Sequence, residues 1–596
     1  VPNVALQGGE QVMRIAMDSD LFNINSLSIL RPPEAPEGDF YVSPSGDDDG
    51  LGTLQAPFRT LERARDAVRE INDHMDRDLL VYLRGGRYEQ AATLTFDSRD
   101  SGTNGHEVIY RAYPGESPSI SGGRIITGWT PHQNGIVKAP AQGMRFRQFY
   151  VGGLRAVRAR TPNAGAFNRL ITWNESADAV GVRIDSSQLD TGWDLSRTEM
   201  VIYKHWNQSR MRVESHSISG GHADIVLRSP ERYVERLIAW PNRENNQVYY
   251  FENSLDFLDE PGEWFVDIDA DQVYYMPRHG EDLQILTAII PALERLVEVR
   301  QARHIAFEGL FFEHTGWTTP DDEGFIGIQA ASYRVLDTGA SIPAGIYLES
   351  TSHVRFERNV FRHMGGVGVE LAFGTYRNEF VGNVFTDIAS NAISIYTWLS
   401  NRNPDDENQK SRGDVIRNNY VTGIAQDYSG GVGIFASYTD GVVIEHNEIA
   451  ELPYTGISVG WGWTSASTAL KDNVVRYNHI HHVMQFHDDG AGIYTLSRQP
   501  GTLIERNHVH DIIRSPWADS YEIAALYLDE QTDGLTMRHN VIHGLSGDAV
   551  LVVKFHQAGD DNTVHDNGEG IADEQSIMSQ AGLEPAYESI KRLVDN

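Results

Sequence analysis

The sequence predicts an all-β protein built as a parallel β-solenoid, and a repeat in its second half is the main evidence. From about residue 300 each unit has a hydrophobic pair, a polar residue and Asn, then a second hydrophobic pair, a gap and Gly-Ile-x-hydrophobic. Units of 24 to 36 residues, made of short β-branched runs without helical periodicity, indicate stacked β-coils. The repeated asparagines are Asn359, Asn383, Asn419, Asn447, Asn478, Asn507 and Asn540. Because Asn tolerates the left-handed conformation of a tight turn, we expect these side chains to stack as a ladder.

The first half of the chain supplies the start of the solenoid and a helix that covers it. The stretch "FYVSPSGDDDGLGTLQAPFRTLERARDAVREIN" contains a strand, an Asp/Gly turn and a helix that begins at about Thr60. An amphipathic helix in this place is expected to cap the exposed core and edges at the end of the solenoid. The apolar face of the helix comprises Leu61, Ala64, Ala67, Val68 and Ile71.

An insertion interrupts the solenoid. Between about Gly123 and Leu293 the Asn repeat is absent, and alternating segments such as "ADIVLRS" and "GEWFVDIDADQVYYMPR" appear instead. Such alternation is typical of antiparallel hairpins, so we predict an inserted β-sandwich-like domain. The predicted organisation is an N-terminal extension (1–38), the cap and first coils (39–122), the insertion (123–293) and the main β-helix with a C-terminal tail (294–596).

Composition excludes several classes of function. The 50 basic and 83 acidic residues give a net charge of −33, so nucleic acid is not expected as a partner. No uninterrupted apolar run of about 18 residues is present, so no membrane-spanning helix is predicted. The absence of cysteine excludes disulfides and thiolate metal sites. The start "VPNVALQGGE" has no initiator Met, which fits a processed chain that is secreted or periplasmic. The oligomeric state is left open.

No metal or other cofactor is predicted, although two clusters contain residues of the ligand type. The triple Asp47–Asp49 suggests structural calcium, but no further ligand follows at the spacing of an EF-hand. His481, His482 and His487 suggest zinc, but no carboxylate accompanies them at ligand spacing. We therefore expect no metal, with structural calcium as the alternative.

The strand that opens each coil indicates which side chains point outward. With its first Gly or Ala as position zero, positions +1 and +3 are almost uniformly apolar and are expected to face the core, while +2 and +4 face outward. The zero positions are Gly345, Gly368, Ala392, Gly433, Gly456, Gly492, Ala525 and Ala549. The outward positions hold Tyr347, Glu349, Glu370, Ser394, Tyr396, Tyr494, Tyr527 and Asp529. Aromatic rings and carboxylates on one face are typical of a groove for sugars.

Two carboxylates precede one of these strands, in the segment "HDDGAGIYTL". Asp489 is at position −3 of its coil, and Asp529 is at +4 of the next coil. Hydrolysis of a glycosidic bond needs two carboxyl groups, about 5 Å apart for retention and about 6.5–9.5 Å apart for inversion. On straight strands Asp489 and Asp529 would be roughly 20 Å apart, so their pairing requires a turn or a bulge. Further candidates are Asp488, with turn capping as the alternative, Glu522, a lateral neighbour of Asp489, and Glu530.

Several aromatic and polar residues are candidates for substrate binding. Trp461 and Trp463 follow the end of a strand, where they are expected either to form sugar platforms or to pack within a loop. The same two alternatives hold for His314 and Trp317 in "FEHTGW". The remaining candidates are Tyr396, Tyr494, His487 and Glu370, the last with a solvated groove edge as the alternative.

Linked motifs give the chain a resemblance to a known family. "RQFYVGGLRAVRARTPN", "GEWFVDIDADQVYYMPRHGED", "LPYTGISVGWGW", "DDGAGIYTL" and "YLDEQ" resemble the right-handed parallel β-helix glycoside hydrolases, most closely family 141, with family 120 more distant. The resemblance implies a right-handed β-helix with an inserted β-sandwich domain, export, and activity as an α-L-fucosidase, xylanase or β-xylosidase. It also implies that Asp489 and Asp529 are the catalytic pair. One departure is "YEIAALYLDE", where a Gly-rich entry is expected and where Glu522 offers a different subsite or catalytic group.

The predicted function is therefore hydrolysis of a plant or algal cell-wall polysaccharide or oligosaccharide. Asp489 and Asp529 are the expected catalytic pair, and Tyr494, Trp461 and Trp463 are expected to line subsites. One alternative is a polysaccharide lyase on the same scaffold, with Lys554 or His556 of "VVKFH" as the base. Another alternative is a β-helix that binds carbohydrate without cleaving it.

Overall fold

Each coil of the solenoid contributes one short strand to each of three parallel sheets, the first, second and third sheet. Within one coil, Ser352–Glu357 lies in the first sheet, Val360–Met364 in the second and Val367–Leu371 in the third. The computed structural model describes residues 36–176, 179–238, 243–336, 338–395, 406–518 and 520–594. The predicted parallel β-solenoid is confirmed.

The three sheets run along the length of the solenoid, with neighbouring coils paired in parallel. The first sheet comprises Phe40–Val42, Leu79–Leu83, Val108–Ala112, Arg303–Glu308, Ser352–Glu357, Glu379–Val381, Val415–Arg417, Val443–Glu445, Val474–Arg476, Leu503–Glu505, Thr536–Arg538 and Thr563–His565. The second comprises Gly86–Glu89, Pro118–Ser121, Phe311–Thr315, Val360–Met364, Val384–Ile388, Tyr420–Ile424, Glu448–Ala450, His479–His481, His508–His510 and Val541–His543. The third comprises Leu94–Phe96, Val297–Arg300, Ala344–Glu349, Val367–Leu371, Ile393–Ile395, Ile434–Ala436, Ile457–Val459, Ala491–Thr495, Ile523–Leu528 and Val550–Phe555.

The core of the solenoid is a column of apolar side chains from all three sheets. Phenylalanines from consecutive coils stack within it: the ring centroids of Phe307 and Phe356 are 4.8 Å apart, and those of Phe356 and Phe380 are 4.9 Å apart. On the third sheet, the predicted inward positions +1 and +3 are fully buried, as Ile346 and Leu348 show. Burial of this continuous column is the main source of the solenoid's stability.

The predicted asparagine ladder is present and fully buried. Each amide nitrogen donates to the amide oxygen of the next coil; from Asn447 to Asn478 the distance is 2.9 Å. The same oxygen of Asn478 accepts the backbone N–H of Asn447 at 3.1 Å. The ladder continues beyond the seven predicted members to Asn567, which accepts from Asn540 at 2.7 Å. Because every rung satisfies buried polar groups, the ladder fixes the register between coils.

A short helix, Leu61–Val68, packs its apolar face on the first coils, where Thr60 caps its N-terminus. The predicted face holds for the other four residues, but Ile71 is 46% exposed because the helix ends at Val68. The acidic triplet before the helix has a structural role. Asp48 accepts hydrogen bonds from the backbone N–H groups of Arg59 and Thr60 at 2.8 and 2.9 Å, which ties the turn to the helix start.

The insertion forms antiparallel sheets that leave the solenoid after Pro118–Ser121 and return to it before Val297–Arg300. Its first strand, Gly123–Ile126, pairs with its last, Ala288–Pro291, so both ends of the insertion lie together. Other strands are Thr130–Pro131, Val137–Pro140, Tyr150–Val151, Leu154–Arg155, Val157–Arg158, Arg160–Thr161, Asn168–Arg169, Thr172–Glu175, Val180–Asp185, Glu199–Tyr203, Gln208–Ser219, His222–Leu227, Val248–Glu252, Glu263–Asp267 and Gln272–Tyr275. The strand Gln208–Ser219 also pairs with Phe325–Ile326 of the solenoid, which anchors the insertion along its side.

Short elements complete the described part of the chain. Two minor pairs join Ser332–Val335 to Thr338–Ser341 and Ser411–Arg412 to Thr439–Asp440. The other α-helices are Glu231–Leu237, Pro320–Glu323 and Glu574–Gln580. The 3₁₀ helices are Asn72–His74, Ser98–Asp100, Ser186–Gln188, Leu255–Phe257, Glu407–Gln409 and Glu588–Leu593. Within the described residues, no helix is both long and apolar enough to span a membrane.

Candidate active site

Two neighbouring strands of the third sheet position the predicted carboxylates. Ala491–Thr495 and Ile523–Leu528 pair in parallel, with Tyr494 opposite Tyr527. Asp489 lies in the turn that enters the first strand, and its backbone is left-handed with φ at 51°. Asp529 directly follows the second strand. The two carboxylates therefore approach the face of the sheet from its two ends.

A single tyrosine hydroxyl joins the two carboxylates. The Tyr527 hydroxyl oxygen lies 3.1 Å from Oδ1 of Asp489 and 3.1 Å from Oδ1 of Asp529. These two oxygens can be no further apart than the sum of those distances, about 6.2 Å. The path between them is therefore much shorter than the roughly 20 Å of straight strands, as the pairing requires. The left-handed backbone of Asp489, just before the strand begins at Ala491, is a turn of the kind that was expected.

Burial and charge give the two carboxylates different properties. Asp529 is 6% exposed, and its second oxygen accepts a hydrogen bond from the hydroxyl of Tyr494. Burial, with the nearby charge of Asp489, raises the pKa of Asp529 to about 6. The side chain of Asp489 is 17% exposed. One carboxyl group is thus held for protonation near neutral pH, while the other is open to solvent.

Lys554 supplies the counter-ion of Asp489. Its Nζ lies 2.9 Å from Oδ1 of Asp489 and donates to the carbonyl oxygen of Glu522 at 3.0 Å. The ammonium group also lies 4.2 Å from the centre of the Tyr527 ring. The strand Val550–Phe555 places Lys554 opposite Tyr527.

The pairing of Lys554 with Tyr527 corrects the residue that was assigned as position zero of the last coil. Because Lys554 lies opposite Tyr527, position zero of this coil is Val552, and the assignment to Ala549 was wrong by three residues. With the corrected register, Lys554 is the outward +2 residue, in the same column as Tyr494 and Tyr527. A β-branched Val in place of the usual Gly or Ala hid this alignment.

Asp488 points away from its neighbour and binds the insertion. Its Oδ1 lies 2.9 Å from Nδ1 of His205, and its Oδ2 accepts the backbone N–H of Tyr521 at 3.0 Å. The backbone N–H of Asp488 also donates to the carbonyl of His205 at 2.9 Å. The side chain is fully buried, and burial raises its pKa. These contacts are those of an anchor between the turn and the insertion.

His487 is buried beside this anchor. Its Nε2 lies 2.7 Å from Oγ of Ser429 and its Nδ1 lies 3.0 Å from the carbonyl oxygen of Lys204. Burial lowers the pKa of His487 to about 4, so the ring is neutral at neutral pH. The structure thus places this candidate for substrate binding between the solenoid and the insertion.

The two tryptophans of "GWGW" lie at the edge of the sheet where Asp529 emerges. The Trp461 carbonyl accepts a hydrogen bond from Ser497, whose backbone N–H donates to the carbonyl of Glu530. Trp461 is buried, whereas Trp463 is 41% exposed, and their rings are 4.8 Å apart. Two coils separate them from Asp529, a distance of roughly 10 Å. Trp463 therefore presents an open aromatic surface two coils away from Asp529.

The next candidates are three glutamates and a tyrosine. Glu522 is exposed, and Glu530 is half-buried at the edge just described. Glu370 is buried on the third sheet, three coils before the coil that contains Ser458. It therefore lies outside the immediate contacts of the carboxylate pair. Tyr396 lies outside the described residues.

His314 and Trp317 are buried at a distance from the pair along the chain of coils. Trp317 packs in an apolar cluster against Phe325 and Tyr428, and His314 contacts Tyr150 of the insertion. Of the two alternatives given for these residues, the structure shows the packing contacts.

Comparison with known proteins agrees with this architecture. The model of the GH141 insertion domain matches residues 134–278, and that of the right-handed β-helix region matches 331–406 and 407–578. A solved structure described as a glycoside hydrolase superposes with a TM-score of 0.85 at 29% identity, covering 93% of this chain and all of the other. These matches show a right-handed β-helix that carries an insertion domain like that of GH141, and they support the prediction of a glycoside hydrolase.

Curated relatives match over shorter segments. Pectate lyase PEL9 of Emericella nidulans is 36% identical over 165 residues, which are 26% of this chain and 38% of the relative. The uncharacterized protein YwoF of Bacillus subtilis is 37% identical over 90 residues, 15% of this chain and 17% of the relative. The chain thus spans less than half the length of either relative.

Proposed function

We propose that this glycoside hydrolase-like β-helix protein cleaves a glycosidic bond with Asp489 and Asp529. The observation that carries the proposal is the Tyr527 hydroxyl, which lies 3.1 Å from an oxygen of each carboxyl group. A hydroxyl has one proton to donate, so contact with both groups favours a state in which the pair holds a proton of its own. One protonated and one ionised carboxyl group is the state in which a glycosidase begins its reaction.

Their different environments assign the two roles. Burial raises the pKa of Asp529 to about 6, which suits an acid that protonates the leaving oxygen. Asp489 forms an ion pair with Lys554 and is the more exposed of the two, which suits a nucleophile. Tyr494 and Tyr527 hold the Asp529 carboxyl group in place through hydrogen bonds to its two oxygens.

The short separation favours retention of anomeric configuration. Carboxyl groups are about 5–5.5 Å apart in retaining enzymes, whereas inverting enzymes keep about 6.5–9.5 Å to hold a water molecule. The two Oδ1 atoms are at most about 6.2 Å apart, a limit between the two ranges, and their shared contact with the Tyr527 hydroxyl favours the closer arrangement. In the first step, Asp489 bonds to the anomeric carbon as Asp529 gives its proton to the departing oxygen. In the second, water replaces Asp489 and returns a proton to Asp529.

The substrate class follows from the resemblance to family 141 and from the open ring of Trp463. We propose a plant or algal cell-wall polysaccharide or oligosaccharide of the α-L-fucoside or xylan type. Secretion, or location in the periplasm, stays a prediction.

A panel of such glycans and aryl glycosides tests the proposal. Reducing ends and near-ultraviolet absorbance are followed in the same reaction, with heat-inactivated protein as the control. Hydrolysis of the unsubstituted glycans produces reducing ends without new absorbance, whereas hydrolysis of an aryl glycoside is followed by the released phenol. If binding occurs but no glycan is cleaved, the protein is a non-catalytic carbohydrate-binding β-helix instead.

A polysaccharide lyase is the second candidate, because the matched segment of PEL9 belongs to a pectate lyase. A lyase base would have to be Lys554 or His556, and its unsaturated product would absorb in the near ultraviolet. Lys554 is held between Asp489 and the Glu522 carbonyl, an arrangement that suits an ammonium ion better than a free base. His556 is exposed, and its Nε2 lies 3.0 Å from Nε2 of Gln557. Absorbance that rises with the reducing ends would favour this candidate.

A further inference from the structure

A cluster of histidines covers the outer face of the second sheet, on a different sheet from the carboxylate pair. The strands Glu448–Ala450, His479–His481, His508–His510 and Val541–His543 lie side by side in register. This register forms two columns of side chains. One column contains Glu448, His479 and His508, and the other contains His481, His510 and His543.

Ring nitrogens meet on the diagonals between the two columns. Nε2 of His479 lies 2.7 Å from Nε2 of His510, and Nε2 of His508 lies 2.8 Å from Nε2 of His543. One ligand-type nitrogen from each of His479, His508 and His510 lies within 4.8 Å of the others. Nitrogens bound to one tetrahedral zinc ion are about 3.3 Å apart, given bonds of about 2.0–2.1 Å. Small rotations of the rings thus bring the three nitrogens to one ion.

A carboxylate lies behind two of these rings, and one of the two contacts is within hydrogen-bond distance. Nδ1 of His510 lies 2.8 Å from Oδ2 of Asp511, and Nδ1 of His479 lies 3.6 Å from Oε2 of Glu448. In both rings the opposite nitrogen, Nε2, points into the cluster. A carboxylate behind the ligating imidazole is the arrangement that fixes the tautomer in metal sites. Glu448 also forms an ion pair with Lys591 of the C-terminal tail at 2.6 Å. Glu448 therefore balances the positive charge of Lys591 beside the cluster.

Two of the three rings are open to solvent. The side chains of His479 and His510 are 23% and 15% exposed, so an ion can enter from the surface. His508 is buried beside them.

We propose that His479, His508 and His510 bind one divalent transition-metal ion of the zinc class. Imidazole nitrogens suit Zn²⁺, Ni²⁺ and Cu²⁺, whereas calcium and magnesium prefer oxygen ligands. The ion joins two neighbouring coils, since His479 belongs to one and His508 and His510 to the next. Its role is structural, because it lies on another sheet from Asp489 and Asp529.

Equilibrium dialysis of the untagged full chain against ZnCl₂, after chelator treatment, tests the site. We expect about one Zn²⁺ per chain and a rise in Tm with the ion. The variants His479→Asn and His510→Asn should each bind at least about tenfold more weakly. His222→Asn, an exposed residue at the start of a strand of the insertion, is the matched control and should bind as the parent does.

Two results would overturn the proposal. One is a parent protein that takes up no Zn²⁺ at concentrations up to about 100 µM, because binding weaker than this would be too weak for a preformed site. The other is unchanged affinity in both histidine variants. If a variant fails to fold, Co²⁺ added to the parent decides, because tetrahedral nitrogen ligation gives strong visible absorption and hydrated Co²⁺ does not.

Discussion

The carboxylate pair and the histidine cluster are built by the same device and differ in chemistry. In both, parallel coils place side chains of neighbouring strands in register on the outer face of a sheet. In the cluster, stacked histidines share similar surroundings, as in the nearly parallel rings of His479 and His508. In the pair, Asp529 is buried against tyrosines while Asp489 has a lysine partner and contact with solvent.

This difference shows that register creates proximity and that the surroundings decide what the proximity does. Like groups in like surroundings suit shared ligation of one ion. Like groups in unlike surroundings suit a division between acid and nucleophile. The insertion contributes to that asymmetry, because His205 holds Asp488 away from the pair.

The largest expected effect is loss of the carboxylate pair. Asp489→Asn and Asp529→Asn each keep the shape of the side chain and should lower kcat/KM on an oligosaccharide by about 10²–10⁴-fold. Glu522→Gln is the matched control, since this carboxylate is exposed and is expected to be dispensable. Initial rates with the substrate identified from the panel check the prediction. Near-parent activity in either Asp variant, or a comparable loss in Glu522→Gln, would move the catalytic role elsewhere.

The asparagine ladder, which fixes the register of the coils that carry both sites, can be weakened at Asn447. This residue directly precedes Glu448 of the histidine cluster. Its amide donates to Asn478 and to the Ile416 carbonyl, both at 2.9 Å. Asn447→Ala leaves buried partners unsatisfied, so we expect a loss of about 2–4 kcal/mol in the free energy of unfolding. Denaturant unfolding measures this, with Asn408→Ala on an exposed turn as the control. Equal stability of both variants would mean that the ladder does not fix the register.

Removal of the counter-ion should make the pair more symmetric. Lys554→Met keeps the length of the side chain and removes its charge, leaving Asp489 without its partner at 2.9 Å. We expect kcat/KM to fall by about 10–100-fold, with Lys471→Met, an exposed lysine paired with Asp440, as the control. A lyase that used Lys554 as its base would instead lose about as much activity as the Asp489 variant does. The two losses, measured side by side, separate these mechanisms.

The smallest expected effect concerns pH and stability. Because Asp529 has a pKa of about 6 in the folded state, above its ordinary value, folding takes up a proton. Its contribution to stability is fully present below the ordinary pKa and is lost as the pH rises through about 6. Asp529→Asn should therefore be more stable than the parent at pH 8, by about 1–3 kcal/mol. Unfolding curves at pH 4.5 and 8 check this: a difference that does not grow with pH would contradict it.

The solenoid was predictable because its constraints repeat. Each coil requires Asn at one turn and a small residue at the start of one strand, so the columns of Asn447 and Gly492 can be aligned within a single sequence. The exposure of Ile71 was less predictable. The apolar pattern of the capping helix continues to this residue, although the helix itself ends at Val68.

The sites were only partly predictable because their contacts do not repeat. Asp489 and Asp529 were predicted as a pair on condition of a turn or a bulge, but the sequence alone could not place the left-handed backbone at Asp489. The role of Lys554 was hidden by a three-residue error in register. The carboxylate missing from the histidine motif, Glu448, comes from the preceding coil and has no fixed sequence spacing.

Leaving-group dependence tests the central assignment most directly. The parent, Asp489→Asn and Asp529→Asn are compared on two aryl glycosides of the identified sugar, one with a strongly acidic phenol and one with a weakly acidic phenol. An acidic phenol needs no proton to depart, so Asp529→Asn should lose far less activity on it than on the other, while Asp489→Asn should lose activity on both. Equal losses of Asp529→Asn on the two substrates would contradict its role as the acid.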